Sequence, residues 1–508
     1  MNQNFKSTIE KGYSFKGDSV LLGTAMLDKE AVVNTQIKAP LKTFNRHGLI
    51  SGATGTGKTK TLQNIAERLS EKGVPILLMD LKGDLSGLSQ PGNPHPKIDE
   101  RHDKIGSPWT ARPYPVELLT ISEQEGVRLR ATVSEFGPVL FSKILGANDT
   151  QSGVISLVFK YCDDYEMPLL DIKDFRKALQ WVTGEAKEEI EQQYGYIAKT
   201  SAGAILRKLI ALEEQGADIF FGEMSFDVED LTRQNKDGLG YINILRLTDI
   251  QDKPKLFSTF MLCLLAEVYE KFPEVGDKDD PKLVIFIEEA HLVFKEASGA
   301  LLDQIESIIK LIRSKGVGIY FSTQNPTDIP EAVLSQLGMK LQHALRAFTA
   351  KDRKAIKMVA ENYPITEYYD VDKLLTELGI GECLTTVLNE KGIPTPLVHT
   401  LLTAPSSRMD IIDDKERMDL ISKSTVVAKY NKDIDRKSAY EILNEKLEHA
   451  AEIKESASEK KSSTGRSSSS SRTTKSSKSE LEKFMGSKAV NTVVRELTRG
   501  LLGILKKR

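Results

Sequence analysis

Eight consecutive residues, Gly52-Ala-Thr-Gly-Thr-Gly-Lys-Thr59, fit the pattern G-x-x-x-x-G-K-[ST], which has meaning only between a strand and a helix. The sequence supplies both. Leu49-Ile50 reads as the end of a strand, and residues 60–72 place Leu62, Ile65, Ala66 and Leu69 at helical spacing. A second apolar run over 74–79 follows at the distance of a strand–helix–strand unit. The residue types suit a polyphosphate. Gly52, Gly55 and Gly57 let backbone N–H groups turn inward with no Cβ in the way, and Ala53, Thr54 and Thr56 complete the loop. Lys58 offers a point charge to β- and γ-phosphates, and the Thr59 hydroxyl suits Mg²⁺. The bland alternative is a Gly/Thr-rich turn ahead of a helix. The flanking strand and helix favour a nucleotide site.

Composition narrows the class. The 508 residues are 28% charged with a formal net charge of -2, so no global basic field exists to coat nucleic acid. A ring or cleft that touches DNA through a few basic loops stays open. Cys162, Cys263 and Cys383 are far apart, lack metal-ligand spacing and sit beside apolar residues. They read as reduced core thiols of a cytoplasmic protein. The N-terminus has no apolar signal region and no stretch reaches the length of a membrane span.

Read in order, residues 1–47 predict short strands leading into the phosphate-loop strand, and 48–137 the first part of an α/β core. The strand over 76–79 ends in Asp80-Leu-Lys-Gly-Asp84. A carboxylate at the C-terminal end of a parallel strand beside the phosphate-loop strand reaches the nucleotide crevice, which makes Asp80 a candidate for the Mg²⁺ shell or the attacking water. A turn former before Lys82-Gly83 is the plainer reading. Residues 85–115 look like a long loop, and 138–235 carry helical periodicity, an insertion expected to form a lid or side domain.

The core resumes over 236–405. Strands are predicted at 241–247, 282–287, 318–322 and 340–345, helices at 255–272, 301–314, 331–338 and 352–362, and a hairpin at 382–401 around Lys391-Gly392. Residues 406–461 are charged and helix-prone, and 462–479 are a Ser-rich stretch expected to be a disordered linker. Residues 480–508 predict an amphipathic helix that docks on the body or a neighbouring subunit, a membrane surface being the lesser alternative.

Hydrolysis needs more than a phosphate loop. Val284-Ile-Phe-Ile-Glu-Glu289 is a buried-strand pattern ending in two acids. In such a pair the first acid, Glu288, holds the Mg²⁺ shell and the second, Glu289, orients and polarises water. Gln324 stands at the tip of the next predicted strand, within reach of a γ-phosphate. Arg313, one helix after Glu289, suits an arginine finger toward a neighbouring subunit, with Arg346 a weaker choice. Against these stand a surface acid pair and a solvated helix-end arginine.

With both halves in view the chain resembles the HerA/FtsK superfamily of P-loop ATPases, and most closely its bacterial HerA-like members. The matching stretches are Ser51–Thr59, Asp80–Asp84, Glu288-Glu-Ala-His-Leu292, Arg313-Ser-Lys-Gly316 and Ser322-Thr-Gln324, within about residues 10–405. The resemblance implies a RecA-like (ASCE) α/β core with a mainly parallel sheet. It further implies a hexameric ring, Mg²⁺-dependent ATP hydrolysis at subunit interfaces with Arg313 as the finger, and pumping of double-stranded DNA. Two departures stand out: Glu288 replaces the family's usual Asp, and the short N-terminus lacks the β-barrel that seats archaeal members on a nuclease. No Q/H-R-x-G-R motif follows as in DExH helicases, and no LSGGQ as in ABC transporters. A nucleotide-switched scaffold and a polypeptide-moving ATPase remain as alternatives.

Overall fold

In the computed structural model, residues 2–276, 280–294, 299–432, 434 and 436–463 are described. One sheet organises them. Its strands are β1 (Ser19–Leu27), β2 (Glu30–Pro40), β3 (Gly48–Ser51), β4 (Ile76–Asp80), β5 (Val116–Thr120), β6 (Val127–Arg128), β7 (Ile242–Arg246), β8 (Leu283–Ile287), β9 (Val317–Thr323), β10 (Met339–Gln342), β11 (Glu382–Thr386) and β12 (Val398–Leu402). Their order is β2-β1-β12-β11-β10-β3-β9-β8-β4-β7-β5-β6. From β10 to β6 every neighbouring pair is parallel; from β10 to β2 every pair is antiparallel.

The parallel strands are apolar on both faces because both faces are covered. In β8, Val284 and Phe286 join one apolar cluster while Leu283, Ile285 and Ile287 join the other. β4 divides likewise, with Ile76 and Leu78 on one side and Leu77 and Met79 on the other. This is the continuous apolar run expected of buried parallel strands.

The helix Lys58–Glu71 follows the phosphate loop and buries Leu62, Ile65, Ala66 and Leu69, the four positions its spacing marks. Its other contacts come from the far end of the body. Gln63 donates to Ser407 Oγ (2.8 Å) and the Arg408 carbonyl (2.9 Å), and Asn64 donates to Thr403 Oγ1 (2.6 Å). The Glu67 carboxylate accepts from the Ser406 and Ser407 backbone N–H groups at 2.7 and 3.0 Å. Residues 403–408 therefore clamp the helix that carries Lys58.

Three local readings change. Residues 2–12 are a helix, Asn2–Gly12, not part of a strand run; Phe5 and Ile9 are its buried i,i+4 pair in an otherwise polar segment. The stretch 85–115 contains the helix Pro96–Ile105. Its ends are set by a His95 side chain accepting from Lys97 N (3.1 Å) and by Gly106 at φ 73°. β4 is not beside β3, because β9 and β8 lie between them. Those strands come from more than 200 residues downstream, and local spacing does not encode such an insertion.

Between β6 and β7 run the helices Val133–Ile144, Asp149–Asp164, Ile172–Thr183, Lys187–Gln193, Lys199–Glu213 and Ala217–Phe220. Capping boxes at Thr132/Glu135, Asn148/Gln151 and Asp171/Asp174 start the first three. Phe141, Phe175 and Leu209 of these helices share one apolar cluster with Met79, Leu119 and Phe321 of the sheet. The last described helix, Ala439–Ser463, extends past position 462. From position 464 on, the linker expected over 462–479 lies outside the described residues, as does the helix expected over 480–508. No described helix is long and apolar enough to cross a membrane.

Burial pushes the Glu67 carboxyl up to about 7, against the lowering pull of Ser407 and Ser406. The folded chain thus holds this proton more tightly than the unfolded chain, in which a glutamate titrates near 4.3. The stability linked to it is fully present below about pH 4.3 and lost as pH rises through about 7. Between pH 5 and 8 the wild type should lose roughly 2 to 3 kcal/mol more stability than Glu67→Gln, a difference measurable by parallel denaturant titrations.

Candidate active site

The parallel strands bring their C-terminal ends to one edge of the sheet, and the candidate residues collect there by that geometry. The loop after β3 is fixed from both sides. Gly52 N donates to the Thr323 carbonyl at the end of β9 (3.3 Å), and Ala53 N donates to the Ala344 carbonyl after β10 (2.8 Å). Gly57 has φ 107°, the left-handed turn that starts the helix at Lys58. At Gly52, with φ 149°, a Cβ would lie 2.5 Å from His343 Cβ, so no larger residue fits. Thr54 and Gly55 form the exposed tip, and Thr56 is buried, its carbonyl accepting from Gly381 N (3.2 Å). Lys58 curls over the loop and donates to the Gly52 and Ala53 carbonyls at 2.7 and 3.1 Å. Burial, then the nearby Lys82, lowers its pKa.

The acid pair meets this loop. Thr59 Oγ1 donates to Glu288 Oε1 at 3.3 Å, across 229 positions of sequence and across β9. Glu288 is 2% exposed, and its Oε2 has no hydrogen-bond partner. Carboxylate oxygens of Asp80, Asp84 and Glu288 lie within 4.8 Å of one another. Burial and then the repulsion of Asp80 and Asp84 push the Glu288 carboxyl up to about 8; burial and Asp84 push Asp80 up to about 6. The two aspartates differ in role. Asp80 Oδ1 accepts from Gly83 N (2.6 Å) and Asp84 N (3.3 Å), and Oδ2 from Leu85 N (3.2 Å), so Asp80 braces its own loop. Asp84 is carried by that loop and keeps a buried Oδ1 without a partner. Unpartnered carboxylate oxygens beside a hydroxyl form the hard oxygen set that suits Mg²⁺.

Glu289 sits at φ 47°, a left-handed conformation unusual for glutamate. Lys82 Nζ lies 2.8 Å from its Oε1, and His291 Nδ1 3.4 Å from its Oε2. Gln324 follows Thr323 at the tip of β9 and is exposed beside the loop. Arg346 is exposed after β10 on the same edge. Arg313 is elsewhere. It begins the single turn Arg313–Lys315 ahead of β9, at the opposite edge of the sheet and roughly 20 Å of strand from the β9 tip. Exposed there, it is out of reach of the phosphate loop of its own chain.

The structure brings three further candidates to the site that spacing alone does not single out. Lys82 and Asp84 lie in the 80–84 motif, whose residue types are legible in the sequence but whose internal division of labour is not. His343 is a buried third neighbour of the loop: its Nε2 pairs with Thr61 Oγ1 at 2.9 Å, and burial, then Lys58, lowers its pKa to about 4.

A family model described as "Helicase HerA-like C-terminal" matches residues 26–508. The chain belongs to that family. It is 24% identical over 380 residues to the DNA double-strand break repair helicase HerA of Sulfolobus acidocaldarius, covering 73% of this chain and 68% of the relative. It is also 24% identical over 357 residues to the HerA of Saccharolobus solfataricus, covering 69% and 63%. The chain thus spans about two thirds of the length of these curated relatives. Among solved structures, the bacterial conjugative coupling protein TrwB in its unbound form superposes with TM-score 0.51 at 12% identity, over 80% of this chain and 94% of that one. TrwB in complex with ADP and Mg²⁺ gives TM-score 0.50 at 12% identity, over the same 80% and 94%. This likeness shows the fold alone, a RecA-like P-loop core.

A cation held by Glu288 would require the carboxylate form, so if Mg²⁺ binds there the Mg²⁺-dependent gain in nucleotide affinity should grow as pH rises from 6 to about 8.5. In Glu288→Gln that gain should be at least tenfold smaller and flat with pH. Titration of a fluorescent ATP analogue with Mg²⁺ or with a chelator reads both.

Proposed function

We propose that the chain hydrolyses ATP with Mg²⁺ at the edge shared by β3, β9 and β8, works as a hexameric ring in the cytosol, and uses turnover to move double-stranded DNA. The single observation that carries this reading is the 3.3 Å contact between Thr59 and Glu288, which joins the phosphate loop to the acid pair. In it, the backbone of residues 52–57 cradles the phosphates and Lys58 turns from its own loop carbonyls to the β- and γ-phosphates. Thr59, Glu288 and Asp84 hold the cation, which when bound neutralises charge across the phosphates. Glu289 takes the proton of the attacking water, and Gln324 orients that water or the γ-phosphate. The DNA part rests on family membership and on the HerA relatives being DNA double-strand break repair helicases; the nucleotide part gains support from the ADP and Mg²⁺ bound to TrwB.

A ring would give Arg313 a role: it lies at the far edge of its own sheet from the phosphate loop, and a neighbouring subunit can supply a finger in trans. A second reading, a nucleotide-switched scaffold, has one observation in its favour: Lys82 holds the candidate base at 2.8 Å. Turnover rate separates the two.

Lys58→Ala should abolish nucleotide binding. Glu289→Gln should keep binding and lower turnover by about 10² to 10⁴-fold; normal hydrolysis by it would mean a different base. Arg313→Ala should lower turnover by about 10³-fold or more at unchanged nucleotide affinity. Mixing Arg313→Ala with Glu289→Gln subunits should restore part of the activity, because some interfaces then pair an intact Glu289 with an intact Arg313. ATPase rate with and without duplex DNA, alongside particle size with a non-hydrolysable analogue, tests the motor as a whole.

A further inference from the structure

The segment leaving β10 carries a charge pattern that no ion pair among the described residues uses. Between positions 346 and 358 the sequence has five cations and a single acid, Asp352, in a chain whose net charge is -2. The helix Ala350–Glu361 buries Ile356 and Val359 against Leu345, Leu375 and Leu384, so its orientation on the body is fixed. That orientation leaves Lys351, Arg353, Lys354 and Lys357 exposed, with Arg346 exposed and Phe348 85% exposed just before the helix. Asp352 does not balance them. Its carboxylate accepts from Phe348 N (3.0 Å) and Thr349 N (2.8 Å) and closes the helix cap.

Several exposed helical lysines elsewhere in the chain stand opposite acids one turn away, as in Lys160–Asp164, Lys271–Glu267 and Lys373–Glu377. Here like charges occupy that spacing: Lys351 and Lys354, Lys354 and Lys357, Arg353 and Lys357. Such pairs destabilise a helix on its own. They are favourable when a polyanion lies along them. Lys351 to Lys357 covers roughly 9 Å of helix axis, a length over which duplex DNA carries about five phosphates.

We infer that the stripe of Lys351, Arg353, Lys354 and Lys357, led by Arg346 and Phe348, is a contact surface for the phosphate backbone of double-stranded DNA. The inference rests on the DNA-moving reading and assigns it a place on the chain. A duplex fits better than an unpaired strand, because single-strand grooves stack successive bases on several aromatic rings and this stripe has one. The stripe is also joined to the nucleotide site. β10 leads into it, and the same turn grips the phosphate loop: His343 N donates to the Ser51 carbonyl at 2.7 Å, and the Ala344 carbonyl accepts from Ala53 N at 2.8 Å. Arg346, at the head of the stripe, is two residues from Ala344, whose carbonyl takes the Ala53 N–H of the loop.

The test uses the full chain with Lys351→Glu, Lys354→Glu and Lys357→Glu combined, and a labelled duplex of mixed sequence in fluorescence anisotropy. A control reverses three exposed lysines elsewhere, Lys104→Glu, Lys236→Glu and Lys415→Glu. The stripe variant is expected to bind duplex at least tenfold more weakly, with a log K against log salt slope shallower by about 2 to 3. Its DNA-independent ATPase should stay at the wild-type rate while DNA stimulation is lost; the control should behave as wild type, and Lys-to-Arg replacements at the three stripe positions should restore binding. Equal DNA affinity in the stripe variant overturns the inference, as does an equal loss in the control. A changed particle size with a non-hydrolysable analogue would make the stripe a subunit contact and overturn it too. If the wild type itself binds no duplex at low salt, the DNA-moving reading fails first and the stripe falls with it.

Discussion

Three carboxylates gathered within 4.8 Å at a buried sheet edge are the condition to which the rest of this molecule is fitted. Like charges in that setting repel and lose their water, and both effects appear as the upward shifts of Glu288 and Asp80. The neighbouring ammonium groups do not neutralise the set. Lys58 is turned to loop carbonyls, and Lys82 is paired with the fourth carboxylate, Glu289. A triphosphate entering alone would add negative charge beside carboxyls whose ionisation is already penalised. Entering as a Mg²⁺ complex, it would bring a cation in place of the Glu288 proton, and the unpartnered oxygens of Glu288 and Asp84 are the atoms left to receive it.

Holding such a cluster in place requires rigid support, and the sheet provides it in an order that separates the parts by one strand. β9 stands between the phosphate-loop strand and the acid-pair strand. Its final carbonyl, on Thr323, takes the Gly52 N–H, so the inserted strand sets the distance across which Thr59 meets Glu288. The helix that presents Lys58 and Thr59 is then pinned from behind by Glu67, Gln63 and Asn64 on residues 403–408. The site thus depends on contacts between the first 70 residues and the last part of the body, far from any nucleotide.

Much of this was legible in the sequence, for reasons that are local. The spacing of Leu62, Ile65, Ala66 and Leu69 announces the loop helix, and Leu283–Ile287 is too apolar for anything but a strand covered on both sides. What stayed hidden is non-local or internal to a motif. Nothing in residues 48–80 says that β8 and β9 will separate β3 from β4. Phe5 and Ile9 alone are too few apolar positions to distinguish a helix in residues 2–12. In Asp80-Leu-Lys-Gly-Asp84 the composition promises a carboxylate at a strand end. It takes the backbone path to show that Asp80 braces the turn, Asp84 faces the cluster and Lys82 reaches Glu289.

At Glu288, where the resemblance implies an aspartate, Oε1 accepts from the Thr59 hydroxyl at 3.3 Å across the inserted β9. The residue after it then has to leave the strand abruptly, and Glu289 does so at φ 47°, a conformation that costs a side-chain-bearing residue about 1 to 3 kcal/mol. The ion pair with Lys82 offsets part of that strain at a partly shielded position, at the expense of engaging the carboxylate that would poise water. On the proposed function, a phosphate that drew Lys82 away would free the Glu289 carboxylate, so a single lysine would couple nucleotide arrival to release of the base.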